Sequence, residues 1–288
     1  MAVLESASSA GASEERLVGD RLDQLLAEHD PQGDVVAFLG AQYDLGLAWV
    51  HFPEGEGGLG LTPRAQRQVM ERIAEVGGPS PYYRNPIGYG MGAPTVVTHG
   101  SEAQKSRYLR PLFTGEEVWC QLFSEPGAGS DVASLASRAV RDGDEWVVNG
   151  QKVWTTLAHI SRWGMLVART DPEQPKHKGL TYFVVDMHAP GVEVRPLRQI
   201  TGDAEFNEVY FTDVRIPDAE RLGDVGDGWR VSITTLMNER VSIGGAIAPQ
   251  GSGPIGEAVR LWRERTPTAD EAVEAARKDE LVRLWIRA

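Results

Sequence analysis

The sequence is most informative at Ser124-Glu125-Pro126-Gly127-Ala128-Gly129-Ser130-Asp131 and at Lys152-Val153-Trp154-Thr155-Thr156. The first stretch follows an apolar run at residues 118–123, and its glycines and serines are typical of a turn that exposes backbone N–H groups. Glycine has no Cβ, so a flat or anionic ligand can approach the main chain closely there. The second stretch places an aromatic side chain beside hydroxyl groups. Together they predict a site for a ligand with an apolar ring and polar edges.

Two other interpretations of the glycine-rich stretch have to be considered. A dinucleotide-binding fingerprint needs a third small residue and a crossover helix, but Val132 stands at the third position. Instead, Asp142-Gly143 and Asn149-Gly150 predict hairpin turns on both sides of a short strand at residues 145–148. The stretch could also be a plain hairpin turn without a ligand. The nearby Trp-Thr-Thr sequence favours a ligand, and a flavin fits the description.

Residues 14–117 show the helical spacing of apolar side chains. Thr62-Pro63 marks the start of one helix, since proline is favoured at the first helical position. The spacing predicts two inward helix faces, formed by Val18, Leu22, Leu25 and Leu26 and by Val69, Met70, Ile73 and Val76.

Residues 118–226 contain many turns and short runs of β-branched or aromatic residues, which are typical of strands. Such runs occur at residues 163–169, 180–186 and 209–211. Helical spacing returns after residue 227, and Thr268-Ala269-Asp270-Glu271 matches a capping box at a helix start. The apolar face expected after it consists of Val273, Ala276, Leu281, Leu284 and Ala288.

The composition excludes some classes of function. The formal net charge of −12 argues against a nucleic-acid surface, because no basic stripe is present to neutralise phosphates. Cys120 is the single cysteine, so an internal disulfide is excluded, a cytoplasmic location is expected, and the thiol is predicted to be buried. The histidines show no metal-ligand spacing, and no apolar stretch reaches the length of a membrane span. Residues 1–13 lack the features of a signal peptide and predict a disordered tail.

Further segments carry a resemblance to a known family. They read WVHFPE at 49–54, GGLG at 57–60, GSEAQK at 100–105, YLRP at 108–111, FNEVYF at 206–211 and VRIP at 214–217. With the two stretches above, and in the same order over about residues 20–245, the sequence resembles the acyl-CoA dehydrogenase family. These flavoenzymes introduce a double bond next to a thioester.

The resemblance implies an α+β multi-domain fold. An N-terminal helical domain at residues 14–117 would be followed by a central antiparallel β-barrel-like domain at 118–226 and a partial C-terminal helical bundle at 227–288. The family's bundle has four helices, and the sequence holds only the first helix and the start of the second. A final helix with an unpartnered apolar face leads us to expect a fragment, a split gene product or a subunit completed by another chain.

The resemblance implies flavin-dependent α,β-dehydrogenation of an acyl-CoA thioester, in which a base removes the α-proton and N5 of FAD accepts the β-hydride. Glu239 matches one of the two positions at which the family places its catalytic glutamate. The other interpretation of Glu239 is a solvated helix residue that precedes Arg240, an arginine shared by many members of the family. The second family position falls after the end of this sequence.

Flavin contacts follow from the same resemblance. Trp154 would lie against the flavin ring, and Thr156 would hydrogen-bond near N5. Gln121 departs from the aromatic or apolar residue that is common at its position, which bears on the fit of the substrate. The implied flavin-binding residues are Gln121, Phe123, Ser124, Trp154, Thr155 and Thr156.

The resemblance also implies substrate contacts and partners. Ser130 would contact the thioester or the pantetheine arm, although a turn residue that caps its neighbours is an alternative. Arg240 would brace the substrate side of the first bundle helix. The expected partners are an acyl-CoA, an electron-transfer flavoprotein and further subunits of a homo- or hetero-oligomer. The alternatives are an acyl-CoA oxidase and a non-catalytic partner subunit of a hetero-oligomeric dehydrogenase.

Overall fold

The structure is a computed structural model that describes the backbone of residues 2–244 and 253–287. The chain forms two compact units, residues 1–239 and 240–288. The predicted sequence of a helical part, a β part and C-terminal helices is confirmed. The helices are α1 Ala2–Glu28, α2 Val35–Asp44, α3 Gln66–Glu75, α4 Pro81–Arg84, α5 Ala93–His99, α6 Glu102–Thr114, α7 Gly228–Gly244, α8 Gly253–Glu264 and α9 Glu271–Arg287.

Helix α1 is longer than the sequence predicts. It begins at Ala2, although a disordered tail is predicted over residues 1–13. This segment is rich in alanine, which has the highest helix propensity, so it can extend a helix that is held further along the chain. The predicted apolar face holds that later part, since Val18, Leu22 and Leu25 are buried.

Helix α3 buries a narrower face than predicted. Val69 and Ile73 are buried as expected, one helical turn apart. Met70 is 62% exposed, so its predicted inward position is wrong. The buried face of α3 runs along Val69 and Ile73. Met70 is one residue further along the helix, which turns its side chain away from this face.

Eight strands form a single sheet in the central part. The order is β6-β7-β3-β2-β4-β5-β8, and β1 pairs with β4 in parallel. Among the described residues, the end strands β6 and β8 do not pair with each other, so the sheet is open and the predicted barrel-like closure is wrong. Strand β8 has only two residues, too few to close a barrel. The strands are β1 Trp119–Leu122, β2 Arg138–Asp142, β3 Glu145–Thr156, β4 Trp163–Arg169, β5 Leu180–Asp186, β6 Val192–Leu197, β7 Phe206–Pro217 and β8 Arg221–Leu222.

Strand β4 is buried on both faces. Met165 and Val167 belong to the core shared with the N-terminal helices, whereas Leu166 and Ala168 belong to a second core formed within the folded sheet. Alternate residues of a strand point to opposite faces, which accounts for its continuous apolar sequence. Cys120 lies in the second core, where burial raises the pKa of its thiol to about 12. The prediction that this cysteine is buried is confirmed.

One of the two predicted hairpins exists. Strands β2 and β3 form the predicted hairpin, with the two-residue loop at Gly143-Asp144, one residue later than predicted, because Asp142 still pairs with Glu145. At Asn149-Gly150 the chain does not turn back, and β3 continues with a register shift against β7. A Cβ at Gly150 would stand 2.2 Å from Oγ of Ser137, so this glycine serves a close backbone approach at a bulge rather than a hairpin turn.

Asn85 connects the helical part to the sheet. Its fully buried amide group donates to the carbonyls of Leu112 at 2.9 Å and Glu117 at 3.1 Å. Its oxygen accepts from the backbone N–H groups of Gly88 at 3.2 Å and Trp119 at 3.0 Å. One side chain therefore fixes the end of α6 relative to the start of β1.

A buried ion pair joins the two stretches that the sequence analysis singles out. Nζ of Lys152, which is 0% exposed, donates to Glu125 at 2.8 Å and to the carbonyl of Phe123 at 3.1 Å. Glu125 also accepts from the backbone N–H groups of Ala136 at 2.6 Å and Ser137 at 3.0 Å. These contacts tie the turn after β1 to strand β3.

The same contacts determine the charge state of the pair. Burial lowers the pKa of Lys152 to about 8, although Glu125 acts against this shift. Burial alone would raise the pKa of Glu125, but the charge of Lys152 and the hydrogen bonds to the carboxylate hold it below the ordinary value of 4.5. Both groups are therefore charged near neutral pH.

In the second unit, helices α8 and α9 have no buried residue. Oδ1 of Asp270 accepts from the N–H groups of Ala272 at 2.9 Å and Val273 at 3.2 Å. Asp270 therefore caps α9, and the prediction of a capping box that starts at Thr268 is wrong. Asp270 directly precedes the helix, so its carboxylate reaches the first N–H groups. The hydroxyl of Thr268 instead bonds to Glu274. Of the predicted apolar face, Ala288 lies outside the described residues.

The ion pair gives a first prediction. Glu125→Gln leaves the buried ammonium of Lys152 without a counter-charge, so the free energy of unfolding should fall by about 3–5 kcal/mol. Urea unfolding measures this loss. The double variant Glu125→Gln/Lys152→Met removes both charges and should recover most of the loss. As a matched control, Lys176→Met breaks the exposed pair with Asp131 (2.8 Å) and should cost less than about 1 kcal/mol. Equal losses from Glu125→Gln and Lys176→Met would contradict this account.

A second prediction concerns pH. Because the pKa of Glu125 is lower in the folded chain than its ordinary value of 4.5, the unfolded chain binds the proton first as the pH falls. The pair therefore stabilises the fold above this range, and the stabilisation is lost as the pH falls through the lowered pKa. Urea unfolding at a series of acidic pH values should show a steeper loss for the unaltered chain than for Glu125→Gln/Lys152→Met. Parallel curves would show that Glu125 does not contribute.

Candidate active site

The glycine-rich turn after β1 is held by hydrogen bonds within its own backbone, and its glycines have free space beside them. Glu125 and Ala128 exchange two backbone hydrogen bonds, each of 3.0 Å. A Cβ placed on Gly127 or Gly129 would meet no atom of the described chain within 4 Å. Packing within the chain therefore does not require glycine at these positions, whereas close approach of a ligand to the main chain would.

Trp154 has an unusual backbone and an exposed ring. It has a φ of 60°, in the left-handed region that only glycine adopts without cost, and its side chain is 62% exposed. A register shift between Lys152 and Thr155 interrupts the pairing of β3 with β7 at this point. The ring packs edge-to-face with Phe206, with centroids 6.2 Å apart. A strained segment that holds an aromatic face toward the surface is suited to stack on a planar ligand.

The hydroxyls beside Trp154 differ in their surroundings. Thr155 is buried, and its Oγ1 has no hydrogen-bond partner among the described residues. Thr156 is half-buried and pairs with Phe206 in the sheet. A buried hydroxyl without a partner is rare in folded proteins, and at this place a polar edge of a ligand would fit its chemistry.

The backbone brings the two predicted stretches together. The N–H of Val153 donates to the carbonyl of Ser124 at 2.9 Å. Phe123, the residue before, is buried with its ring edge-on to Tyr182 at 5.8 Å between centroids. The structure therefore places Phe123 and Ser124 beside the strand that carries Trp154.

Within the first unit, hydroxyl groups hold the part of α7 up to Glu239 against α5 and β5. Oγ1 of Thr235 lies 2.9 Å from Oγ1 of Thr95 in α5 and 3.0 Å from the hydroxyl of Tyr182 in β5. Thr234 adds a contact of 2.8 Å with Nε2 of His99. Burial raises the pKa of Tyr182, so its hydroxyl stays protonated in this network.

Glu239 follows Thr235 by one helical turn and therefore lies on the same face of α7. Its Oε2 accepts a hydrogen bond from Nε2 of Gln121 at 3.3 Å, and the residue is half-buried. Oε1 of Gln121 is buried without a partner in the described part of the chain. Gln121 and Phe123 share one face of the extended chain. The predicted base and two of the predicted flavin contacts therefore lie in one neighbourhood.

The remaining predicted residues are at the surface. Ser130 is exposed near the end of the glycine-rich turn that follows β1, the glycine turn. Arg240 is exposed at the first position of the second unit. Sequence reasoning missed the ion pair of Glu125 and Lys152 and the buried side chain of Asn207. A lysine within an apolar strand was the available signal for the pair, since a buried lysine requires an anion.

A groove of about 850 Å³ lies elsewhere, where the corner between α5 and α6 meets the end of β7. None of the predicted site residues lines it. Its two arginines are held in ion pairs, Arg221 with Asp218 of the groove and Arg107 with Glu117, which lies outside the lining. The chemistry described above therefore does not use this groove.

Comparisons with known proteins follow the same division of the chain. The family model described as "Acyl-CoA dehydrogenase, N-terminal domain" matches residues 12–116, and the one described as "Acyl-CoA dehydrogenase, middle domain" matches residues 120–214. The acyl-CoA dehydrogenase FadE34 of Mycobacterium tuberculosis is 45% identical over 245 residues, which are 85% of this chain and 33% of FadE34. The chain thus spans a third of that relative.

Solved structures also resemble this chain in fold. The "Tcur3481-Tcur3483 steroid ACAD" superposes with a TM-score of 0.62 at 28% identity, over 93% of this chain and 68% of that one. The ChsE4–ChsE5 complex from Mycobacterium tuberculosis gives a TM-score of 0.62 at 29% identity, over 89% of this chain and 67% of that one. Within the described part of the chain, no helix combines the length and the hydrophobicity of a membrane span. With the two domain models matching in sequence order, the chain belongs to the acyl-CoA dehydrogenase family.

Proposed function

We propose that this chain catalyses the α,β-dehydrogenation of an acyl-CoA thioester with FAD as its cofactor. The observation that carries the proposal is the juxtaposition of the exposed, left-handed Trp154 with the open glycine turn, joined by the 2.9 Å bond from Val153 to Ser124. A carboxylate, Glu239, stands in the same unit within hydrogen-bond reach of Gln121.

The residues present fit the proposed cofactor. An exposed indole offers a face for a planar ring. The hydroxyl of Thr155, which has no partner in the described part of the chain, and the open main chain at Gly127 and Gly129 offer polar contacts. FAD, when bound, accepts the hydride that leaves the β-carbon of the substrate. The residues that would hold it are Gln121, Phe123, Ser124, Trp154, Thr155 and Thr156.

Glu239 is the proposed base that takes the α-proton. The amide of Gln121 donates to its carboxylate, and the hydroxyl contacts of Thr235 hold α7 in place one turn earlier. The carboxylate thus has a fixed position, which proton transfer requires. Ser130 and Arg240 are proposed to contact the thioester or pantetheine arm and to brace the substrate side of α7, respectively.

The substrate class and the electron acceptor are part of the proposal. The steroid dehydrogenase among the similar structures is the reason to test steroid-derived acyl-CoAs beside fatty acyl-CoAs. The proposed acceptor is an electron-transfer flavoprotein. Reoxidation of the reduced chain by oxygen at a comparable rate would assign it as an acyl-CoA oxidase instead.

A second candidate function is that of a non-catalytic partner subunit. It is favoured by helices α8 and α9, which bury no residue and expose apolar side chains such as Leu261 (54%) and Ile286 (68%). The similarity to the ChsE4–ChsE5 complex also supports an assembly of two different chains. This function predicts no turnover by the chain alone and turnover once a homologous catalytic chain is added.

The role of Glu239 gives the central prediction. Glu239→Gln keeps the shape and the contact with Gln121 but removes the base, so the rate of flavin bleaching by acyl-CoA should fall roughly 10²–10⁴-fold. FAD binding should be unchanged. Anaerobic stopped-flow absorbance of the flavin-loaded chain measures the rate, and desalting followed by an absorbance spectrum measures the binding.

Glu71→Gln is the matched control for this variant. It changes a glutamate on the exposed face of α3 in the same way, with 65% of the side chain exposed, and should leave the rate unaltered. Unchanged bleaching in Glu239→Gln would show that another group is the base.

Trp154 gives a separate prediction. Trp154→Gly removes the aromatic face but suits the φ of 60°, so the fold should be unaffected or stabilised by about 1 kcal/mol. The Kd for FAD should rise roughly tenfold through the loss of stacking. Leu157→Gly, at a φ of 61°, is the control that relieves the backbone without removing an aromatic ring, and its Kd should change little. Equal affinities in the two variants would remove Trp154 from the flavin site.

A further inference from the structure

Asn207 lies behind the segment that presents Trp154. It is fully buried in β7, directly opposite Thr155 of β3. Its Nδ2 donates to the carbonyl of Thr155 at 2.9 Å and lies 3.3 Å from both Nδ1 of His159 and the carbonyl of Glu205. A single amide therefore contacts the end of β3, the turn that follows it and the residue that leads into β7.

The ladder is irregular where this amide acts. No pairing with β7 is formed at Val153 and Trp154, and both Trp154 and Leu157 have left-handed backbones with φ near 60°. Such residues persist only where the surroundings over-determine them. The bond from Asn207 to the carbonyl of Thr155 falls between the two left-handed residues, and the N–H of Leu157 adds a bond of 3.4 Å to the carbonyl of Glu205.

Two polar atoms of this cluster are unpaired. Within residues 2–244 and 253–287, neither Oγ1 of Thr155 nor Oδ1 of Asn207 has a hydrogen-bond partner, and both atoms are buried. A segment selected only for stability would satisfy such atoms or replace them with apolar groups. Because these atoms cost stability, the cluster calls for another role, and the contacts of Nδ2 with the segment that carries Trp154 supply one.

We propose that Asn207 is a positioning residue whose amide, by holding the carbonyl of Thr155, fixes the segment 154–157 between its two left-handed end residues, in the conformation that presents Trp154 and Thr156 to FAD. The part of the proposal that concerns FAD rests on the proposed function. The part that concerns the backbone stands on the contacts alone.

The chain offers a matched control in the same pair of strands. Nδ2 of Asn149 in β3 donates to Asp213 in β7 at 3.0 Å, and the N–H of Asp213 donates back at 2.9 Å. Asp213 also has a left-handed backbone, with a φ of 50°, but this pair is exposed. Asn149 therefore also joins β3 to β7 through its side-chain amide beside a left-handed residue, but away from Trp154.

The test compares Asn207→Leu with Asn149→Leu. Hydrogen–deuterium exchange followed by mass spectrometry on the FAD-free chain reports on the amides of residues 153–157. Asn207→Leu should speed their exchange roughly tenfold. It should also weaken FAD binding by a similar factor and shift the visible band of the flavin that remains bound. Asn149→Leu should leave all three readouts unchanged, whatever stability it loses in urea.

The outcomes separate the two parts. Unchanged exchange at residues 153–157 in Asn207→Leu overturns the positioning role, and faster exchange with unaltered FAD affinity overturns its link to the flavin. If the unaltered chain binds no FAD, the proposed function fails while the exchange result still decides the role of Asn207. If Asn207→Leu does not fold, Asn207→Asp replaces the donor in nearly the same shape. If neither variant folds while Asn149→Leu does, Asn207 serves the whole fold and the proposal is wrong.

Discussion

The buried ion pair of Glu125 and Lys152 is the interaction on which the candidate site depends. Its carboxylate also accepts backbone N–H groups of Ala136 and Ser137, and its ammonium also donates to the carbonyl of Phe123. These bonds place a glycine-rich turn against strand β3 without using any side chain that faces the proposed ligand. Two separate stretches of the sequence thereby become one surface, and the charges that join them are buried away from solvent.

Near this ion pair, the site combines a firmly held helix, α7, with an irregular part of strand β3. The hydroxyl network of Thr95, Tyr182 and Thr235 docks α7 and sets the position of Glu239. On β3, the ladder is broken and Trp154 is held in a left-handed conformation. Regular pairing on both sides of the break supports this conformation, and in this segment the left-handed backbone is found at Trp154 and Leu157.

Much of the architecture could be predicted from the sequence, because helical spacing, β-branched runs and the Asp142-Gly143 turn are local signals. The runs at residues 163–169 and 180–186 coincide with β4 and β5. Closure of the sheet could not be predicted, since it depends on whether two end strands meet. Asn149-Gly150 led to the prediction of a turn that is not present. The glycine instead allows the close approach of Ser137, a tertiary contact that the sequence does not reveal. The bond from Gln121 to Glu239 and the role of Asn207 likewise arise from tertiary contacts that periodicity does not encode.

The central claim is that the glycine turn and the Trp154 segment form one flavin site that works on acyl thioesters. The most direct measurement is the visible spectrum of the purified chain after incubation with FAD, desalting, and anaerobic titration with fatty and steroid-derived acyl-CoAs. We expect flavin absorbance that survives desalting and bleaches with at least one of these substrates. A chain that is folded by circular dichroism but retains no flavin would contradict it.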